Sequence, residues 1–242
     1  MDKRFSLLTV MVLGSVAAML GIPGLRAFLL GFARPEPSRI VASETGSLTS
    51  SLSQRLQSGN LERLKQTRKC PRCNLSGVDL SGLDLSRVDL REANLRAAKF
   101  DNTKLINAQL TRSNLTDASL QSANLQGADL QGAVLNRTNF RNAQMMHATL
   151  EKADLQQATL TGAEMRAANL TDSQMERANL RKTSLYGALL SRANLAIADL
   201  SDSDLRYANF LDANLQGANL SNAQLEFAIM PNGSTYQGTV PY

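Results

Sequence analysis

Every fifth residue from Leu75 to Met230 is leucine, phenylalanine or methionine, through 32 successive positions. Two residues before each stands a compact or apolar residue, most often alanine, as at Ala93, Ala98, Ala108, Ala118 and on to Ala228. Thr103, Ser113, Thr138, Ser173, Thr183 and Ser203 fill the same slot, and Cys73, Val78, Leu83 and Val88 fill it early in the chain. An inward pair two residues apart has the period of a strand. The next inward residue comes three later, so the chain must turn a corner in between. On an α-helix a five-residue step advances about 140°. The leucines would then wind around all sides with no buried face, which rejects a helix over this region.

One short strand and one corner, repeated, build an all-β solenoid. Four corners close a square coil of 20 residues, so 32 repeats make about eight coils. At about 4.8 Å between coils the rod is on the order of 40 Å long. The seven glycines within the repeats (Gly77, Gly82, Gly127, Gly132, Gly162, Gly187 and Gly217) all stand two residues after the large apolar position. Asn102, Asn107, Asn142 and Asn222 share that slot. Glycine and asparagine tolerate the positive φ that tight turns require. Asp and Asn recur just before the leucines, too regularly for catalysis, and are expected to bond nearby backbone at each corner.

The repeats Ala-Asn-Leu-Gln-Gly (123–127 and 213–217) and Ala-Asp-Leu-Gln-Gly (128–132) resemble those of the pentapeptide repeat proteins. The resemblance covers roughly residues 70–232. It implies a right-handed quadrilateral β-helix. The opening Cys-Pro-Arg-Cys-Asn-Leu-Ser-Gly and the closing Met-Pro-Asn-Gly-Ser resemble ends common among cyanobacterial members. Most such members have no known biochemical function. Some relatives resemble duplex DNA in charge and shape and bind topoisomerases. This chain lacks the protruding loops that several topoisomerase-protecting relatives carry.

Flanking composition sets the remaining boundaries. Lys3 and Arg4 precede Phe5–Ile22, an uncharged and largely apolar run, and Ala27–Ala33 is apolar again. Residues 1–33 therefore read as a signal peptide or a membrane anchor, with membrane contact through residues 5–33. An uncleaved anchor is favoured, because no clean cleavage site follows the apolar run. The expected location is membrane-anchored or exported, in a compartment of the periplasm or thylakoid lumen type, rather than the cytoplasm. Residues 34–47, with Pro35, Pro37 and Gly46, read as a linker. Residues 48–69 read as a helical cap: Leu48, Leu52 and Leu56 share a helical face, and Ser58-Gly59-Asn60 is expected to break or cap that helix. A solenoid end exposes apolar interior and unpaired strand edge, so a cap is required there. Residues 70–232 form the β-helix. Pro231 suits a terminal edge, and the uncharged tail 233–242 is expected to fold over it.

Charge changes the functional picture. The chain carries +5 overall, but residues 1–74 hold 11 Lys+Arg against 4 Asp+Glu, while residues 75–230 hold 15 against 17. The rod is thus neither a basic track for nucleic acid nor the strongly acidic surface that DNA mimicry needs. One histidine, two cysteines and no phosphate-cradling loop leave no catalytic constellation, cofactor site or metal site. The chain reads as a non-enzymatic scaffold.

Two local features remain. Cys70 and Cys73, spaced as C-x-x-C, suggest either thioredoxin-like chemistry or a structural disulfide. No βαβ setting surrounds them, which favours the disulfide, the more so in an oxidising compartment. Sorting the outward slots by 20-residue stacking sets Ile106, Met146, His147, Tyr186, Tyr207 and Phe227 on one side of the rod. Clustered exposed aromatics mark binding surfaces. They also stabilise a sheet by cross-strand packing without any partner. Three readings follow: a membrane-held or exported scaffold with a protein partner or self-association, a topoisomerase-binding DNA mimic, and an exported thiol protein using Cys70 and Cys73.

Overall fold

A computed structural model describes residues 55–237. The apolar segment 5–33, the linker 34–47, residues 48–54 and the tail end 238–242 lie outside the described residues.

Parallel bridges join residues 20 apart without a gap, from Lys69↔Asp89 to Asn209↔Ile229. Eight coils therefore stack in one register, coil 1 opening at Lys69 and coil 8 at Asn209. Each side contributes a bridge of one residue between turns, because only three residues run straight before the next corner. The leucine slot is buried at almost every level, and the alanine slot shares the interior with it. Phe100, Phe140 and Phe210 are the largest side chains enclosed.

The backbone accounts for nearly every amide. From Leu75 to Phe210 the amide of each large apolar residue donates to the next coil, as Leu125 N does to Gln144 O at 2.7 Å. The amide two residues later also donates to the next coil, as Gly127 N does to Met146 O. The amide just before the apolar residue donates to the previous coil, as Asn124 N does to Thr103 O. The amide three residues after it closes the turn, as Ala128 N does to Leu125 O. The fifth amide, directly after the leucine, has no backbone partner. The recurring Asp and Asn supply one: Asp79 Oδ1 accepts from Ser81 N, Asn114 Oδ1 from Thr116 N and Asp199 Oδ1 from Ser201 N.

Every corner from Arg72 to Phe227 holds the second of its two turn residues at positive φ, between 52° and 71°. Glycine and asparagine occupy only 11 of these 32 positions, so residue preference accounts for a third of the corners. The rest include Ile197, Tyr207 and Phe227, at about 1–2 kcal/mol each for the left-handed region. The Ile197 and Tyr207 amides are tied to the next coil, Ile197 N to Gln216 O at 2.9 Å and Tyr207 N to Glu226 O at 3.0 Å. Stacking and burial impose the conformation against local preference.

Helix α1 (55–67) precedes coil 1. It runs unbroken through Ser58-Gly59-Asn60, correcting the expectation of a break there. A single interior glycine costs about 1 kcal/mol, and packing of the helix on coil 1 outweighs it. The buried stripe also differs from the leucine spacing. Leu64 is fully buried and Leu61 packs on the core, while Leu56 is 63% exposed. Gln57 Nε2 donates to Ser76 O at 3.1 Å and Asn60 Nδ2 to Asn74 O at 3.1 Å. In the coil register these two carbonyls would accept from the backbone of a preceding coil, so side-chain amides of α1 stand in for it. At the other end Ile229 pairs antiparallel with Thr235. Tyr236 N donates to Ala228 O, and the Tyr236 side chain packs against the core.

Candidate interaction edge

The six residues sorted to one side lie at its corner, as the two turn residues after Leu105, Met145, Leu185, Leu205 and Leu225. Ile106, Met146 and Tyr186 take the first turn position; His147, Tyr207 and Phe227 take the second. The structure brings three of them together. The Tyr186 and Tyr207 rings lie 5.1 Å apart at a tilt of 52°, and the Tyr207 and Phe227 rings stack at 4.9 Å. The other three stand apart. Arg166 intervenes, with Nη2 3.6 Å from Met146 Sδ and Nε bonded to Glu164. Ile106 is half-buried two coils from Met146, and His147 is exposed.

Gly187 precedes Tyr207 by one coil in the same turn position, and a side chain there would meet nothing within 4 Å. Arg206 caps the row, its guanidinium 5.6 Å from the Tyr186 ring centre. Asp204 holds that guanidinium through two bonds of 2.8 Å. This contact raises the Arg206 pKa and lowers that of Asp204.

Three further apolar residues escaped the one-side sorting. Leu189 and Ile229 share the side after this corner, linked through the bridges Leu189↔Asn209↔Ile229, and Leu211 lies at the next corner. Six of the eight exposed large hydrophobics among the described residues fall on this stretch of the last three coils. The signal was present in the sequence, but finding it required joining adjacent sides rather than scoring each alone.

The charged groups elsewhere form ladders between coils. Glu92 bonds Arg72, Asp117 bonds Arg137 and Asp172 bonds Arg192, each pair 20 residues apart and within 2.8 Å. Each arginine holds its carboxylate below the ordinary range. A carboxylate depressed in the folded state contributes stability above its unfolded pKa, and that stability is lost as pH falls through the folded value. The rod should therefore hold its melting temperature from neutral pH down to about pH 4 and lose it progressively below. Circular dichroism melts across that window check this. A melting temperature constant to about pH 2 would show that the ladders contribute nothing.

Cys70 and Cys73 are joined in a disulfide, with Cys70 fully buried and Cys73 5% exposed. Cys70 Sγ lies 3.4 Å from Asn60 O, a packing contact, since a disulfide sulfur has no proton to donate. Among the described residues no group of three or more His, Cys, Asp or Glu side chains is placed to hold a metal. No helix among them is long and apolar enough to cross a membrane.

The repeat region matches the family model described as pentapeptide repeats, in eight overlapping copies between residues 73 and 230. HetL, a pentapeptide repeat protein involved in heterocyst differentiation regulation from Nostoc sp. strain PCC 7120, is 28% identical; the match covers 73% of this chain and 97% of that one, with a TM-score of 0.29. A pentapeptide repeat protein from the Arabidopsis thaliana thylakoid lumen is 28% identical, over 52% of this chain and 68% of that one, with a TM-score of 0.30. QnrB1, a plasmid-mediated fluoroquinolone resistance protein, is 17% identical over 61% and 89% of the two chains, with a TM-score of 0.40. No curated protein sequence resembles the chain closely enough to count as a match.

Proposed function

Because the chain belongs to the pentapeptide repeat family, through its repeats at 73–230, we propose that it is a non-catalytic interaction scaffold. In this reading residues 5–33 hold it at a membrane or direct its export, α1 closes one end of the rod, and the edge of Tyr186, Tyr207 and Phe227 meets a protein partner. The observation that carries it is the stacked aromatic row, gathered with exposed Leu189, Leu211 and Ile229 on one stretch of the rod. Exposures of 39%, 50% and 60% leave much of these rings in water. Rings spent only on mutual packing would not need Leu189 and Ile229 exposed beside them.

The rival readings have less support. DNA mimicry needs a dense anionic surface, whereas here the aspartates cap backbone amides or pair with arginines on the next coil. Thiol exchange needs a sulfur open to attack, and both sulfurs belong to buried residues.

Fractionation of the tagged full-length chain, followed by crosslinking, tests the proposal. The protein should travel with membranes or the exported fraction and yield a specific crosslinked protein. Replacing Tyr186, Tyr207 and Phe227 by serine should cut that yield at least tenfold. It should also destabilise the rod by about 1–3 kcal/mol, from two aromatic pairs at roughly 0.5–1.5 kcal/mol each. A purely structural row would lower the melting temperature and leave crosslinking unchanged. Recovery in the cytoplasm with a topoisomerase would favour the mimic instead.

A further inference from the structure

The rod is electrically polar along its length. Residues 55–112, comprising α1 and the first coils, carry 12 Lys+Arg against 6 Asp+Glu; residues 113–230 carry 9 against 12. The two ends are more extreme than these averages. Residues 55–72 hold Arg55, Arg63, Lys65, Arg68, Lys69 and Arg72 against Glu62 alone, and residues 199–230 hold five carboxylates against Arg206. All six cations are exposed. Lys65, Arg68 and Arg72 have carboxylates within reach, on Glu62, Asp84 and Glu92. Arg55, Arg63 and Lys69 have none within ion-pair distance among the described residues. Asp79 and Asp84 lie on the same coil and reduce the excess without reversing it.

We propose that this basic end seats on an anionic lipid surface and stands the rod upright, with the Tyr186–Tyr207–Phe227 edge held at the far end. The inference rests on the reading of residues 5–33 as a membrane anchor. The 21 residues 34–54 between the apolar segment and α1 could span at most about 70 Å, more than the rod's own length, so chain length alone fixes no orientation. A surface of anionic headgroups does. Its attraction for lysine and arginine decays within about one Debye length, roughly 8–10 Å. It therefore acts on the end brought close and not on the ladders higher up. The same field repels the acidic end, so lying flat is opposed at that end and gains nothing at the basic end that upright seating does not already give. Leu56, exposed near Arg63 on the outer side of α1, adds apolar surface at the contact. A lipid surface fits better than nucleic acid because residues 55–99 contain no aromatic side chain on which a base could stack.

Amine labelling of the full-length chain on vesicles is the test. Vesicles of phosphatidylcholine alone are compared with equimolar phosphatidylcholine and phosphatidylglycerol. On the anionic vesicles Lys65 and Lys69 should label about tenfold more slowly, while Lys152 and Lys182 should be unaffected. High salt should remove the protection. So should R55Q/R63Q, since neither side chain has a hydrogen-bond or ion-pair partner among the described residues and an unchanged circular dichroism spectrum would confirm that the variant is folded. Retention on both vesicle types without protection of Lys65 and Lys69 overturns the upright seating and leaves the anchor standing. Retention and protection on anionic vesicles alone support the basic seat and refute the anchor. Failure to bind either vesicle removes both. Stronger protection by duplex DNA at equal phosphate concentration would make the end a nucleic-acid surface and overturn the proposal.

Discussion

Replacing Leu155 by aspartate should break the rod in the middle. Leu155 is fully buried, stacked between Leu135 and Met175 in the same register. Neighbouring amides already have partners, as Leu155 N has Gln174 O and Ala158 N has Leu155 O. A carboxylate there would find no donor. Leaving a charge buried and unpaired costs about 3–5 kcal/mol, a large part of the stability of an ordinary domain. Contacts in a solenoid run only between neighbouring coils, so the loss should appear as two unfolding steps in place of one. Hydrogen exchange should rise first at the amides of coils 4 to 6. Leu155→Met is the control. Methionine fills the same slot at Met145, Met165 and Met175, and the swap should cost less than about 1.5 kcal/mol. A single cooperative transition for Leu155→Asp, at the parent's melting temperature, would contradict a buried, apolar interior.

Reducing the disulfide should have the next largest effect, and a local one. The loop from Cys70 to Cys73 is short, so loop-closure entropy alone is worth about 2 kcal/mol. The chain passes from α1 into coil 1 at this bridge. Reduction should therefore raise exchange at Leu75 N and Gly77 N, which donate to Asn94 O and Arg96 O. Leu195 N, six coils away, should not change. Cys70→Ala/Cys73→Ala should reproduce the effect without a reductant. Equal exchange at both ends after reduction would mean that the bridge does not secure coil 1.

Much of this architecture was legible in the residues, because five-residue spacing with small partners two before has one geometric solution. Leu75 to Met230 pointed inward as read, and the aspartates and asparagines do bond backbone at the corners. The corner chemistry was only partly legible. Gly127 and Asn142 announce positive φ, but Ile197 and Tyr207 do not, since their conformation is imposed by amides bonded to the next coil. The start of the rod was misread at Ser58-Gly59-Asn60 for a similar reason. Local preference favours a break there, and contacts to coil 1 overrule it.

The candidate edge shows the same division. Sorting by 20 placed Tyr186, Tyr207 and Phe227 together because stacking follows directly from the count. It could not show that Arg166 parts Met146 from the row, or that Leu189 and Ile229 extend the apolar surface around the corner. Sequence by itself determined the coil, its length and its inward residues, because strict periodicity leaves a chain little choice of where to bury its leucines. Which outward side chains touch was decided only by tertiary structure. Those contacts depend on ring tilt, guanidinium reach and the open space beside Gly187, none of which a five-residue count contains.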